Sequence, residues 1–329
     1  MRIKHRRLSA VAALSAVALT LSACGSGTGT SAEETPENSA TVTVEDNNGT
    51  HEIATPPKSV VATDNRTFQT LDDWGVEIKA GAVKLMPESV SYTQNKDVID
   101  LGNHREPNLE AVVEAQPDLI INGQRFSQYQ EDLAKLAPDA TILNLDPRDD
   151  QPFDAELKRQ TEVLGQVFGK EDEAKKLNED FDASIERVKK AYNSDDKVMG
   201  VITSGGDINY SAPKVGRTLG PVFDILGLTP SIDTPEGASD DHTGDDISVE
   251  AIADSNPDWI LVMDRDAAIE EDAKPAQSIV EESQALKNVN AVKNNNIVYM
   301  PKDTYRAEGI QTYTQFFNDL ADAMEKSKK

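Results

Sequence analysis

An arginine follows each copy of a repeated pattern in this chain, and arginine is well suited to binding paired anionic oxygens. The copies are residues 108–122 and 248–262, with Glu110 matching Glu250 at a separation of 140 residues. Arg125 and Arg265 each follow three residues after their copy. The guanidinium group stays charged, and its planar fork donates two parallel hydrogen bonds. The two arginines therefore predict an anion-binding site, with surface ion pairing as the alternative.

The repeat also predicts the elements that position its arginines. The copies read N-L-E-A-V-V-E-A-Q-P-D-L-I-I-N and S-V-E-A-I-A-D-S-N-P-D-W-I-L-V, and they share Glu, Ala, Pro, Asp and Ile in register. Each pattern indicates a polar cap, a short helix, a Pro-Asp turn and a buried strand. In open α/β sheets, the carboxyl ends of the strands face the ligand crevice. We therefore expect two similar lobes, each directing a cation into one cleft.

Strand and helix patterns alternate on both sides of a long helical stretch. Residues 41–153 alternate as a parallel sheet requires, and residues 193–329 do so again. Between them, residues 154–192 show only helical spacing, interrupted at Gly169. The predicted fold is α/β, with two Rossmann-like α/β lobes, a long helical linker and a ligand cleft between the lobes.

The amino-terminal residues indicate export and a lipid anchor. Residues 1–23 carry a cationic start followed by an apolar run from Leu8 to Ala23, which is short for a membrane-spanning helix of roughly 20 residues. The run ends in L-S-A-C, which resembles the bacterial lipobox and makes Cys24, the only cysteine, the lipidation site. Residues 24–40 form a polar tether. We expect a protein anchored to the cell membrane on its extracytoplasmic face; an ordinary signal peptide is the alternative.

Composition and motifs exclude several classes of function. The chain carries −25, and residues 24–329 carry −29, because four cations lie in the signal peptide. This charge argues against nucleic acid and against broad contact with anionic lipid. Three histidines after the signal peptide are too few for a usual zinc or manganese site. No P-loop, nucleophile elbow or zinc-protease helix is present, so we expect a binding protein and not an enzyme.

These features resemble the helical-backbone class of substrate-binding proteins for ABC importers, and within it the ferric catecholate siderophore binders of lipoprotein type. The motifs that carry the resemblance are P-D-L-I-I-N-G-Q-R, G-R-T-L-G-P-V-F-D-I-L-G, P-D-W-I-L-V-M-D-R-D-A-A-I and D-T-Y-R-A-E-G-I-Q. The resemblance implies capture of an anionic ferric siderophore and its delivery to a permease dimer, through which the ATPase of the importer is also a partner. It implies a monomer with no permanent cofactor. Alternatives are hydroxamate siderophore or haem binding by the same fold, or a surface sensor or adhesion module without transport.

The same resemblance assigns roles to particular residues. It implies that Arg125, Arg217 and Arg265 line the cleft, and Arg66, which follows the first core strand, is a further candidate cation. It also implies that a histidine and a tyrosine complete the coordination of iron when the ligand supplies only four oxygens. Imidazole and phenolate are both suitable iron ligands. The residues at these places are His242, in a loop rich in Gly and Asp, and Tyr305; loop solvation and ring packing are the alternatives.

Two further implications concern the helix starts and the tyrosine motif. The resemblance implies that Glu110 and Glu250 dock onto the permease, whereas helix-dipole stabilisation is the alternative. The sequence departs from the family around Tyr305, where Thr304 and the pair Glu308-Gly309 stand in place of an aromatic residue and two glycines. Other candidates for the cleft or its rim are His104, Arg105, Arg306, Tyr92 and Tyr129.

Overall fold

A computed structural model describes residues 40–270 and 272–328 of the chain. The predicted signal peptide at 1–23, the lipidation site Cys24 and the tether up to residue 39 lie outside the described residues. Within the described ranges, none of the helices combines the length and the apolar composition that crossing a membrane needs.

The first sheet is built from short strands, and its three central strands are fully buried. Such runs of apolar residues are typical of parallel strands that helices cover on both faces. The elements in this part are β1 Ala40–Asp46, β2 Gly49–Thr55, β3 Val60–Ala62, α1 Phe68–Asp73, β4 Ala80–Gly81, β5 Ile99–Asp100, α2 Glu110–Ala115, β6 Leu119–Asn122, α3 Gln130–Leu136 and β7 Thr141–Asn144. Strands β5, β4, β3, β6 and β7 form the parallel sheet in that order, and β1 pairs with β2 as an antiparallel hairpin.

A second sheet of the same kind follows later in the chain. Its elements are β8 Lys197–Ser204, β9 Asp207–Tyr210, α6 Gly220–Leu226, β10 Thr229–Pro230, α7 Val249–Ser255, β11 Trp259–Asp264, α8 Asp266–Ile269, α9 Ala276–Glu281, α10 Asn290–Lys293, β12 Ile297–Tyr299 and α11 Thr304–Ala307. Strands β10, β8, β11 and β12 are parallel in that order, and β9 adds an antiparallel strand beside β8. The structure confirms the prediction of two α/β lobes with parallel sheets.

Two long helices occupy the stretch between the sheets, as predicted. They are α4 Phe153–Phe168 and α5 Glu171–Ala191, separated at Gly169. The closing helix α12, Ile310–Ser327, packs along α5, where the Phe181 and Phe317 rings stack with centroids 5.8 Å apart. The exact lobe boundaries predicted at residues 153 and 192 stay a prediction.

Both copies of the repeat fold as the same unit. In each, a helix (α2 or α7) ends at a left-handed residue, Gln116 or Asn256, and a Pro-Asp turn leads into a buried strand (β6 or β11). The aspartates of the two turns accept equivalent hydrogen bonds from the backbone. Asp118 accepts hydrogen bonds from the backbone of Lys58 and Ser59 before β3, and Asp258 accepts one from the backbone of Lys197 at the start of β8.

The predicted polar cap holds for one copy only. The Ser248 hydroxyl accepts a hydrogen bond from the backbone amide of Ala251 at 3.1 Å, which is a side-chain N-cap for α7. In the first copy the N-cap residue of α2 is Leu109, which makes no such bond. The prediction of a polar cap there was wrong because α2 begins at Glu110, two residues after Asn108, whereas α7 begins directly after Ser248.

Candidate functional site

The candidate site lies where the strand order of each sheet reverses direction. In the first sheet this point is between β3 and β6, and in the second it is between β8 and β11. Ligands of open α/β sheets bind beyond the carboxyl ends of the strands at such points. Arg66 follows β3, Arg125 follows β6 and Arg265 follows β11. The sheet topology therefore explains why these three cations follow the carboxyl ends of β3, β6 and β11.

Three guanidinium groups surround the ring of Tyr305. The central carbon of Arg125 is 4.7 Å from the ring centroid, that of Arg265 is 5.2 Å away and that of Arg217 is 5.3 Å away. These distances are within the range of cation–π attraction. Four predicted site residues thus form one group, which we call the arginine group: Arg125, Arg217, Arg265 and Tyr305.

The arginines of the group differ in their other partners. Arg125 donates to the carbonyl oxygen of Tyr305 at 3.0 Å, and burial lowers its pKa. Arg265 donates to the Ser204 hydroxyl at 3.1 Å and lies 3.5 Å from the Asp266 carboxylate. Its Nε atom is buried and has no hydrogen-bond partner among the residues that the structure describes. Such an atom costs free energy unless a ligand or water satisfies it. These two cations therefore keep capacity for an anionic ligand.

Arg66 lies beside a pair of carboxyl groups. Its Nη1 is 3.5 Å from Asp146 Oδ1, and its backbone amide donates to Asp64. The two acids lie so close to Gly123 that a side chain there would meet both, with a Cβ 2.8 Å from the Asp64 carboxyl and 2.9 Å from Asp146. Burial, followed by the charge of Asp146, raises the pKa of Asp64 to about 7. Asp64 is therefore the acid of this pair whose ionisation is suppressed, and Asp146 is the one that contacts Arg66 Nη1.

A cavity of about 520 Å³ opens beside the arginine group. Its lining includes Arg66, Arg125 and Arg217, together with Asp146 and Glu308. Arg125 and Arg217 belong both to this cavity and to the group around Tyr305, so they connect the two. The space is in the range of small-molecule sites.

Histidines from both halves of the chain lie in the field of these cations. Burial lowers the pKa of His242, and Arg265 and Arg217 add to the shift against the opposing charge of Asp241. Burial also lowers the pKa of His104, with added contributions from Arg125 and Arg105. Both imidazoles are thereby kept neutral, which is the form that binds metal ions. Among the described residues, no three His, Cys, Asp or Glu side chains are grouped as a metal site.

The sequence did not predict a role for Glu308. Its carboxylate is only 3% exposed and forms a two-point ion pair with Arg217, at 3.0 and 2.7 Å. The next residue, Gly309, passes so near the carbonyl oxygen of Arg66 that a Cβ would lie 2.6 Å from it. The one available signal was the departure from the family's glycine pair at this place.

The two predicted docking residues occupy equivalent positions. Glu110 is in the first turn of α2 and Glu250 is in the first turn of α7, and both are exposed. On the same helix as Glu110, three residues further on, Val113 is 51% exposed.

Of the predicted rim residues, Tyr129 donates from its hydroxyl to the carbonyl oxygen of His104 at 2.6 Å.

Comparison with known proteins defines the class to which this fold and site belong. A model of the periplasmic binding protein family matches residues 60–304. The chain belongs to this family. It is therefore a substrate-binding protein that serves transport on the outer side of a membrane, and it is not an enzyme.

Named relatives share most of their length with this chain. The petrobactin-binding protein YclQ of Bacillus subtilis is 32% identical over 316 residues, which is 94% of this chain and 96% of the relative. The ferric-anguibactin-binding protein FatB of Vibrio anguillarum is 29% identical over 270 residues, covering 80% and 81% of the two chains. The crystal structure of YclQ superimposes with a TM-score of 0.73 at 27% identity, over 87% of this chain and 99% of that one.

Proposed function

We propose that this protein captures an anionic ferric siderophore of the catecholate type and delivers it to the permease of an ABC importer. The observation that carries this proposal is the convergence of three guanidinium groups on Tyr305. A ferric catecholate complex presents its negative charge on paired oxygens, which match the forks of arginine. The names of the relatives YclQ and FatB support the same class of ligand.

In this proposal the cations contact the ligand and two further side chains contact the iron. Arg125, Arg217, Arg265 and Arg66 bind the anionic oxygens. His242 and Tyr305 coordinate iron when the siderophore supplies four donor oxygens. The neutral state of the His242 imidazole supports this role, because a protonated imidazole has no free lone pair for a metal.

Delivery depends on surfaces outside the cleft. We assign Cys24 as the lipid anchor, with residues 1–23 removed and residues 24–40 as a tether. The lobes are residues 41–153 and 193–329, joined by the linker at 154–192, and the protein acts as a monomer. Glu110 and Glu250 dock onto the two halves of the permease dimer, which an ATPase drives. The exposed Val113 beside Glu110 supports docking on that face.

Binding of a ferric tris-catecholate by arginine variants tests the proposal. We expect Arg125→Gln and Arg265→Gln each to weaken binding about tenfold or more, because a charge-assisted hydrogen bond contributes roughly 1.5–3 kcal/mol. Fluorescence or calorimetric titration gives the affinity, and a neutral ferric tris-hydroxamate should bind poorly. Arg187→Gln, on α5, is the matched control. Unchanged affinity in a folded Arg125→Gln/Arg265→Gln double variant would contradict the proposal.

A further inference from the structure

One buried carboxylate is held by two segments of the chain that are distant in sequence from its own. Glu308 Oε1 accepts hydrogen bonds from Arg217 Nε at 3.0 Å and from the Thr218 hydroxyl at 2.6 Å. Glu308 Oε2 accepts from Arg217 Nη2 at 2.7 Å and from Gln124 Nε2 at 2.7 Å. Gln124 follows β6 in the first sheet, whereas Thr218 precedes α6 and Glu308 follows α11. Both lobes therefore contribute to the site of this one charge.

The backbone around this carboxylate adopts a conformation that is uncommon for residues other than glycine. Gln124, Thr218 and Glu308 all have positive φ angles, of 50°, 65° and 49°. For residues other than glycine this left-handed conformation is strained, because it brings the Cβ too close to the following carbonyl oxygen. Strain of this kind persists where surrounding structure enforces it, and it clusters at functional sites. Its convergence on one carboxylate points to a role for Glu308 beyond packing.

Glu308 carries a full negative charge at neutral pH. Burial alone would raise its pKa, but the charge and hydrogen bonds of Arg217, with smaller effects from Arg66 and Arg125, hold the pKa at about 2. In turn, Glu308 raises the pKa of Arg217 against the effect of burial. The ion pair is therefore permanent over the whole physiological range.

This fixed charge changes what the arginine group offers to a ligand. The two parallel donors of Arg217 are occupied by Glu308, whereas Arg125 donates to a neutral carbonyl oxygen. Arg265 lies 3.5 Å from Asp266, a longer and single contact. A ligand that reaches Arg217 must therefore approach a resident anion in a site where water screens charge poorly. A juxtaposed like charge of this kind weakens binding.

We propose that Glu308 is a specificity-determining residue that sets the charge of the ferric complex this cleft accepts, favouring complexes with fewer than three negative charges. This inference rests on the proposed function, because it concerns the same site and the same class of ligand. Glu308 discriminates between ligands by repelling the more negatively charged complexes, and not by adding an attractive contact to the preferred ones.

The test compares ligands of similar chemistry and different charge. The probes are a hexadentate ferric tris-catecholate with three negative charges, a tetradentate ferric bis-catecholate with one, and a neutral ferric tris-hydroxamate. Each is titrated calorimetrically into the wild-type protein, Glu308→Gln, the charge-conserving Glu308→Asp and the surface control Glu131→Gln. We expect Glu308→Gln to raise the affinity for the trianionic probe about tenfold relative to the neutral probe, with the monoanionic probe between them.

The outcomes separate this inference from the proposed function. The inference holds if Glu308→Gln shifts the charge preference while Glu308→Asp and Glu131→Gln keep the wild-type order. It is overturned, with the proposed function intact, if Glu308→Gln leaves the order unchanged or weakens all anionic probes equally. The proposed function fails, and the inference with it, if the wild-type protein binds none of the probes. Should Glu308→Gln not fold, Gln124→Lys supplies the same neutralisation beside Glu308 Oε2 and must shift the preference in the same direction.

Discussion

Tyr305 has a different relation to each of the cations around it. Its carbonyl oxygen accepts a hydrogen bond from Arg125, and its ring lies within 5.3 Å of all three guanidinium groups. An aromatic ring attracts cations through its face and holds them without consuming their hydrogen-bond donors. The ring therefore gathers like charges that would otherwise repel, and it does so without itself occupying their N–H groups.

Removal of the Tyr305 hydroxyl tests whether it binds iron. A tetradentate ferric bis-catecholate leaves two coordination positions on iron, so we expect its charge-transfer band to shift on binding to the wild-type protein and not to shift in Tyr305→Phe. A hexadentate complex should give the same spectrum with both proteins. Tyr299→Phe, on β12, is the control and should behave as wild type. A shifted band that persists in Tyr305→Phe would exclude phenolate coordination.

Asp64 is buried in its neutral form and makes stability depend on pH. Its pKa in the folded protein is raised from 3.8 to about 7 by burial and by Asp146. An acid whose pKa rises on folding stabilises the folded state at pH values below the pKa that it has in the unfolded chain. This stabilisation is lost as the pH rises through the pKa of the folded state. Each unit of the shift corresponds to about 1.4 kcal/mol.

The wild-type protein should therefore lose stability between about pH 4 and pH 7, and Asp64→Asn should abolish this loss. The amide can keep an acceptor for the Arg66 backbone amide while it cannot ionise. We expect the free energy of unfolding of this variant to increase relative to that of the wild type as the pH rises across this window. Urea unfolding at several pH values measures the difference. Asp139→Asn, at an exposed site, is the control. A difference between Asp64→Asn and wild type that is constant with pH would contradict the assignment.

The elements that carry the repeat were predictable because each of their signals is local. The apolar spacing, the Pro-Asp turn and the buried run of Leu119–Asn122 lie within one stretch of about 15 residues. The same holds for the break between α4 and α5 at Gly169. Arg125 and Arg265 were found from the repeat because a strand end fixes where the next residues lie.

Glu308 and Asp64 could not be found in the same way. The carboxylate of Glu308 meets Gln124, which is 184 positions away in sequence, and that of Asp64 meets Gln160, which is 96 positions away. Their burial and charge state arise only when both halves of the chain are folded. Sequence patterns report on periodicity within an element and carry no information on such distant side-chain pairs.

At the scale of the whole molecule, the charge of the site opposes the charge of the chain. The protein carries −25 overall, yet its cleft gathers Arg66, Arg125, Arg217 and Arg265. At physiological ionic strength, charges further apart than about 8 Å are largely screened. An anionic ligand is therefore governed by the local cations once it enters the cleft, and the acidic exterior remains available for a cationic partner surface.

Charge reversal at the two helix starts tests that exterior surface. Glu110 and Glu250 occupy matched first turns of α2 and α7, one on each lobe, as contact with a two-fold permease requires. A rim ion pair contributes under about 1 kcal/mol, but juxtaposed like charges cost several. We therefore expect Glu110→Arg with Glu250→Arg to abolish uptake of a ferric siderophore by cells while calorimetric binding in solution stays unchanged. Glu131→Arg with Glu179→Arg makes the same change of net charge at other exposed helical sites and should preserve uptake. Normal uptake by the first double variant would place the docking surface elsewhere on the lobes.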